Sequence, residues 1–159
     1  MKYSIDTSAL LTGWKETYPP DIFSVLWQDI DELIDSGDLI ASEEVLKELE
    51  VGDDDVYHWA CRRPRMFVPL DSDIQLVANR ILAHPEHCKL VKQNAIRTDA
   101  DLFVIATAFV KGCAVVSSEI LMISPSPYKT KIPNVCRDWG IRHLSFLEFI
   151  REQHWRYER

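Results

Sequence analysis

Apolar residues recur along this chain with two alternating periods. "KYSI" leads into Asp6 and predicts a short strand over residues 2–6. "DIFSVLWQDIDELIDSG" sets Ile22, Val25, Leu26, Ile30, Leu33 and Ile34 at helical spacing, with Gly37 as the stop. "DLIAS" predicts a second strand, and Ser42 is an N-cap for the helix "EEVLKELE". "DDDVYHWACRR" begins with acids and ends with bases, the order that suits a helix dipole, and Pro64 closes it. "MFVPL" reads as a strand or an extended linker. "DSDIQLVANRILAH" predicts a helix with Ile74, Val77, Ile81 and Leu82 on one side. "TDADLFVIATAFVKG" is apolar almost all round, so it predicts a buried helix, and "CAVVSSE" predicts a buried strand ending on polar residues. "SPSPYKTKIP" reads as a loop, "GIRHLSFLEFIREQ" as a last short strand and helix, and "HWRYER" as an exposed tail.

Strands separated by helices predict an α/β fold with a parallel sheet covered on both faces. The chain has 159 residues, enough to bury a core without staples, and it carries no internal repeat or linker, so a single domain over residues 1–159 is expected.

The formal charge of -7 argues against a protein that simply coats nucleic acid, which needs a basic surface. It leaves room for a nuclease, whose metal-binding acids add negative charge, and for a basic partner. Cys61, Cys88, Cys113 and Cys136 are widely and irregularly spaced, without a CxxC pair, so neither a zinc site nor a disulfide framework is expected. Residues 1–13 have Asp6 at their middle and no small-residue cleavage site, and no apolar run reaches membrane-spanning length. The expected setting is a reducing cytoplasm, with no membrane partner.

In a parallel α/β sheet, functional residues gather where strands end. Asp6 ends the first strand and Glu119 follows "AVVSS"; Asp99 and Asp101 open the buried helix, and Glu48 lies in the helix after the second strand. Acids gathered at one edge repel unless a divalent cation holds them, and Mg²⁺ or Mn²⁺ takes oxygen ligands of this kind. Such a site can bind a phosphodiester and neutralise charge that develops during hydrolysis. Each acid also has a plainer role. Asp6 suits a helix cap as well as a ligand. Asp101 follows Thr98 in a T-x-x-D capping pattern. Glu48 and Glu50 flank the apolar face of Val45, Leu46 and Leu49, and Glu119 suits the N-terminus of a following helix.

These stretches resemble the PIN-domain family of metal-dependent ribonucleases. "YSIDTSAL" is similar to its opening strand and first acid, "VLKELE" to its second, "DLFVIATAFVKG" to its D-x-x-x-x-A-x-A helix, and "AVVSSE" to its strand ending in a hydroxyl residue, a spacer and an acid. The closing "KIPNVCRDWGIRHLSFLEFI" resembles a bacterial, toxin-like branch. The resemblance covers nearly the whole chain. It implies a three-layer α/β/α sandwich with a short central parallel sheet, and hydrolysis of RNA at a Mg²⁺ or Mn²⁺ site. Asp6, Glu48, Asp101 and Glu119 would be the acidic quartet, with Asp6, Asp101 and Glu119 on the metal, Ser8 and Ser117 as supporting hydroxyls, and Asp99 as an extra acid or cap. The fourth acid here is Glu rather than the commoner Asp, and the hydroxyl before it Ser rather than Thr. The resemblance further implies an antitoxin partner and a homodimer, and water rather than the 2′-hydroxyl as nucleophile, with none of the five histidines as general base.

Arg62, Arg63 and Arg65 in "CRRPR" and Lys129 and Lys131 in "YKTK" are compact basic patches; Arg62, Arg63 and Lys129 are candidates for holding substrate, with a solvated, salt-bridged surface as the alternative. His84, His87 and Cys88 lie together, but no second cluster completes four zinc ligands. Trp27 and Trp59 fall on predicted helices, as core or interface, and Trp155 in the tail suits a partner surface. Two other hydrolytic or signalling readings fit less well. A haloacid-dehalogenase-type phosphatase needs a second Asp where Ser8 stands, and a phospho-receiver needs adjacent early acids and a lysine on a late strand. A PIN-like RNA- or protein-binding module with a weakened site is the non-enzymatic alternative, disfavoured by the complete quartet.

Overall fold

The computed structural model describes residues 2–91 and 100–158. In chain order the elements are β1 (Tyr3–Ile5), α1 (Thr7–Thr12), α2 (Ser24–Ser36), β2 (Leu39–Ser42), α3 (Glu43–Gly52), α4 (Asp55–Cys61), β3 (Phe67–Val68), α5 (Ser72–Leu82), α6 (Ala100–Lys111), β4 (Ala114–Val116), α7 (Ile132–Asp138), β5 (His143–Leu144) and α8 (Phe146–Glu152). The strands form one sheet in the order β3-β2-β1-β4-β5, every neighbouring pair parallel. Tyr3 is in register with both Leu39 and Ala114, and Val116 with Leu144. The chain steps outward from β1 to β3, then returns to the other side of β1 for β4 and β5. That reversal places the topological switch point between β1 and β4, where open parallel sheets form a crevice at the carboxyl ends of their strands.

The three-layer α/β/α arrangement follows from which faces are apolar. Helix α6 packs on β1 and β2 and against α5. Its Ala100, Val104, Ile105, Ala106 and Ala108 are buried, and small residues let it approach closely enough for Ser4 Oγ to donate to Val104 O at 3.2 Å. Burying an Ile side chain such as Ile105 contributes about 1.5–3 kcal/mol. On the other face Trp14, Trp27 and Trp59 form an aromatic cluster, with ring centroids 4.7–5.5 Å apart. Trp27 Nε1 donates to Tyr18 O at 2.7 Å, so its polar end is satisfied inside the core. Trp27 and Trp59 are therefore core residues. After α1 the chain runs through a π-helical turn, Gly13–Thr17. Gly13 lies so close to Phe146 of α8 that a Cβ would stand 3.1 Å from its ring. Gly37 ends α2 in the left-handed region, φ 76°, donating back to Leu33 and Ile34 carbonyls.

Several expectations change. Helix α2 starts only at Ser24, so Ile22 lies before it and is 70% exposed, and Val25 faces solvent. Its buried stripe is Leu26, Trp27, Ile30 and Ile34. "MFVPL" supplies a strand. Ile132 and Pro133, expected in a loop, open α7 instead, with Ile132, Val135 and Cys136 buried. Proline in the first turn was the available signal, because its missing N–H costs nothing there. The tail is not simply exposed: Trp155 packs on Phe149 at 6.0 Å, and Tyr157 Oη donates to Asp29 Oδ2 at 2.6 Å. Trp155 is thus half-buried at the edge of this chain's own core. Among the described residues no helix is long and apolar enough to cross a membrane, and all four cysteines are free thiols.

Candidate functional site

Asp6 closes β1 and caps α1. Its backbone N–H extends the ladder to Val116 O at 2.8 Å, and its Oδ2 accepts from Ser8 N at 3.0 Å and from Ser8 Oγ. The cap explains one oxygen only. Asp6 is 2% exposed, and among the described residues Oδ1 has no hydrogen-bond partner. Burial pushes its pKa up to about 6; the Ser8 hydrogen bonds oppose this, and the charges of Glu48 and Glu119 add to it.

The surrounding side chains are tied by hydroxyls and amides. Thr7 Oγ1 donates to Glu48 Oε2 at 2.6 Å, fastening α3 to α1. Ser8 Oγ, besides donating to Asp6, accepts from Ser118 N at 3.0 Å, and Ser118 Oγ donates to Ser8 O at 3.1 Å. These bonds join the ends of β1 and β4 at the switch point. Ser117 is buried; its Oγ bonds His143 Nε2 at 2.7 Å and accepts from Glu119 N at 3.2 Å. Glu119 Oε2 accepts from Ile132 N at 2.8 Å, so this carboxylate satisfies the first amide of α7, the helix-terminus role open to it from the sequence. Asp101 stands in the first turn of α6, half-buried, and it has interaction partners of its own. A helix leading into a parallel strand begins at the carboxyl edge, so Asp101 belongs to the same side of the sheet. Thr98 and Asp99 lie outside the described residues.

Asp6, Glu48 and Glu119 are thus close enough to interact, yet Glu48 and Glu119 each answer a different donor. Among the described residues, no three His, Cys, Asp or Glu side chains are arranged to hold a metal ion. His143 was not anticipated from the sequence. Burial holds its pKa below the usual imidazole range, with Glu148 opposing. Only the pairing of His143 with Val115 brings it to Ser117, and nothing local foretells that register.

The basic candidates separate. Arg63 makes a two-pronged ion pair with Asp31, donates to Trp59 O at 2.7 Å and stacks 4.5 Å over the Trp59 ring. These contacts tie Arg63 to α2 and α4, the salt-bridged surface that was the alternative to holding substrate. Arg62 is exposed, on the segment that enters β3, whereas the acids lie where β1 and β4 leave the sheet. Lys129 is exposed on the segment that returns from Glu119 to α7. His87 is a satisfied core histidine: Trp139 Nε1 donates to its Nδ1 at 3.2 Å, so its Nε2 donates to Asp138 Oδ2 at 2.9 Å. Neither ring nitrogen is free for the zinc weighed above.

This architecture has solved counterparts. The chain is similar to a chain of VapBC2 from Rickettsia felis bound to a DNA fragment from their promoter, with 14% identity, TM-score 0.56, and 91% of this chain and 98% of that one covered. It is likewise similar to DNA-bound VapBC from Salmonella typhimurium, with 15% identity, TM-score 0.53 and coverage of 92% and 98%. FitAcB from Neisseria gonorrhoeae gives 13% identity, TM-score 0.56 and coverage of 91% and 98%. At these identities the likeness is one of fold, and the fold is the PIN-like α/β/α sandwich. By sequence, residues 3–157 match the family described as a domain of unknown function, DUF4411, and the chain belongs to that family. No curated protein matches the chain in sequence.

Proposed function

We propose that the protein is a metal-dependent endoribonuclease that hydrolyses RNA phosphodiester bonds with Mg²⁺ or Mn²⁺, acting as the toxin of a toxin–antitoxin pair. The observation that carries this reading is Asp6 Oδ1, a buried carboxylate oxygen without a hydrogen bond among the described residues, at the switch point, with Glu48 and Glu119 beside it. A buried anion of this kind is costly unless a cation faces it. A hard divalent ion takes oxygen donors and needs only one or two carboxylates alongside water, so Asp6, Asp101 and Glu119 suit it by donor type. When bound, such an ion would supply positive charge against a phosphodiester and make water at the site more acidic. The chain's own part is to hold the anchor still: Ser8 fixes the second oxygen of Asp6, Thr7 holds Glu48, and Ile132 N–H holds Glu119. Ser117, between His143 and the Glu119 amide, keeps the end of β4 in place.

The similar structures are VapBC and FitAB complexes, several with bound DNA. They support a protein partner for this chain, an antitoxin; on our reading that partner covers the acidic edge, and the toxin is a homodimer. Cleavage of single-stranded RNA by the purified chain is expected to stop in EDTA, to resume with Mn²⁺, and to be largely abolished by Asp6→Asn. The products are expected to carry no cyclic phosphate. Cleavage that survives both EDTA and Asp6→Asn, or that leaves cyclic phosphate ends, refutes the mechanism. One observation favours a second reading, a binding module without catalysis: among the described residues no trio of side chains is arranged to hold a metal. On that reading RNA or protein binding persists while cleavage is absent at every Mn²⁺ concentration.

A further inference from the structure

The segment between β4 and α7 leaves the sheet at Ser117, carries Glu119 and returns at Ile132, so both of its ends belong to the candidate site. It is pinned along its length. Met122 N donates to Asn134 Oδ1, and Asn134 Nδ2 donates to Met122 O, both at 3.0 Å. Lys89 Nζ donates to Ser126 O at 3.2 Å. Beyond these ties stands Tyr128, 89% exposed, followed by Lys129 and Lys131. Among the described residues neither lysine makes an ion pair. Several other cations are committed: Lys15 to Asp54, Lys47 to Glu44, Arg63 to Asp31, Lys89 to Glu86 and Arg142 to Glu152. A cleft of about 310 Å³ opens beside Lys129, lined also by Met122, Ile123, Asn134 and Arg137.

An exposed ring beside two uncommitted ammonium groups has the chemistry of a single-stranded nucleic acid surface. The ring stacks on a base, which every nucleotide offers, and the lysines meet successive phosphates. We propose that residues 117–131 form a strap on which single-stranded RNA lies as it reaches the acidic edge, with Tyr128 as the stacking platform and Lys129 and Lys131 as phosphate contacts. This rests on the ribonuclease reading above. The side-chain ties at Met122 and Ser126 hold the strap in shape before RNA arrives, which lowers the ordering cost of binding. It also gives an acidic chain a local route to a polyanion.

The test is fluorescence anisotropy of a labelled single-stranded oligouridylate with the full chain in EDTA, so that binding is read apart from cleavage, across a range of KCl. Tyr128→Ala is expected to weaken binding about tenfold at every salt concentration, the effect of losing one stacked base, while Tyr128→Trp keeps it. Lys129→Ala with Lys131→Ala is expected to flatten the salt dependence by about 0.7 in log–log slope per lysine. Far-UV circular dichroism is expected to be unchanged, since Tyr128 and Lys129 are exposed. Variants that match the wild type in both affinity and salt slope overturn the proposal, as does a wild type that binds no single-stranded RNA; a strap that docks a protein instead gives that result. Metal-dependent cleavage with unaffected variants overturns the strap alone. Strap-dependent binding without cleavage overturns the nuclease reading alone.

Discussion

Asp6→Asn is expected to stabilise the metal-free protein at pH 8 and to lose that advantage near pH 4. In the folded chain the Asp6 pKa stands at about 6, against an ordinary 3.8. The folded state therefore holds this proton more tightly than the unfolded state. The contribution to stability is fully present below about pH 4 and is lost as pH rises through about 6. At about 1.4 kcal/mol per pH unit, ionised Asp6 costs the folded state about 3 kcal/mol at pH 8. Asparagine removes that cost and caps a helix about as well as aspartate, so the bond from Ser8 N is kept. It adds a cost of its own, because its amide NH₂ takes the place of Oδ1, which has no partner among the described residues; a buried unsatisfied donor costs about 1–3 kcal/mol. The net gain at pH 8 is about 0–2 kcal/mol, at roughly 2–4 °C in Tm per kcal/mol for a chain of this size. Urea unfolding of both proteins in EDTA at pH 8 and pH 4 measures it, and every other titrating group is common to the two chains. The variant is expected to lead at pH 8 and to equal or trail the wild type at pH 4. A difference between the two that stays constant from pH 4 to pH 8 refutes the reasoning. Adding Mn²⁺ at pH 8 is expected to raise the Tm of the wild type and leave the variant unmoved, since a ligand that binds only the folded state stabilises it.

Gly13→Ala is expected to destabilise by about 1 kcal/mol, because the new methyl meets the Phe146 ring at 3.1 Å and the ring is itself packed in the aromatic cluster; a shift in urea midpoint at constant m-value checks it, and an unchanged midpoint contradicts the close packing. His87→Leu fills a similar volume but leaves the Trp139 N–H without its acceptor and Asp138 without its imidazole donor. A loss of about 2 kcal/mol is expected, measured by the same method, and a neutral substitution would mean that water replaces the ring at both contacts.

Periodicity and capping chemistry are local, so the sequence by itself determined most elements. The spacing of Leu26, Ile30 and Ile34 predicts α2, Ser42 caps α3, and the all-round apolar run predicts α6 as a buried helix, all as observed. The α/β class and the resemblance to PIN domains follow from the same local patterns in their order along the chain. The acids at strand ends were also visible in that order. Helix α7 was hidden because it is short and opens on a proline after a turn-rich run. What each acid touches was decided only by tertiary structure. Glu48 meets Thr7, Glu119 meets Ile132 N–H, and Ser117 meets His143 because strands and helices distant in sequence come into register at one crevice. The same holds for charge. Arg63 and Lys129 look alike in the sequence, but Arg63 is committed to Asp31 on a neighbouring helix while Lys129 faces solvent. A side chain's type is a property of its own residue; its partner, and hence its pKa and its freedom to bind, is set by packing between segments that local patterns do not specify.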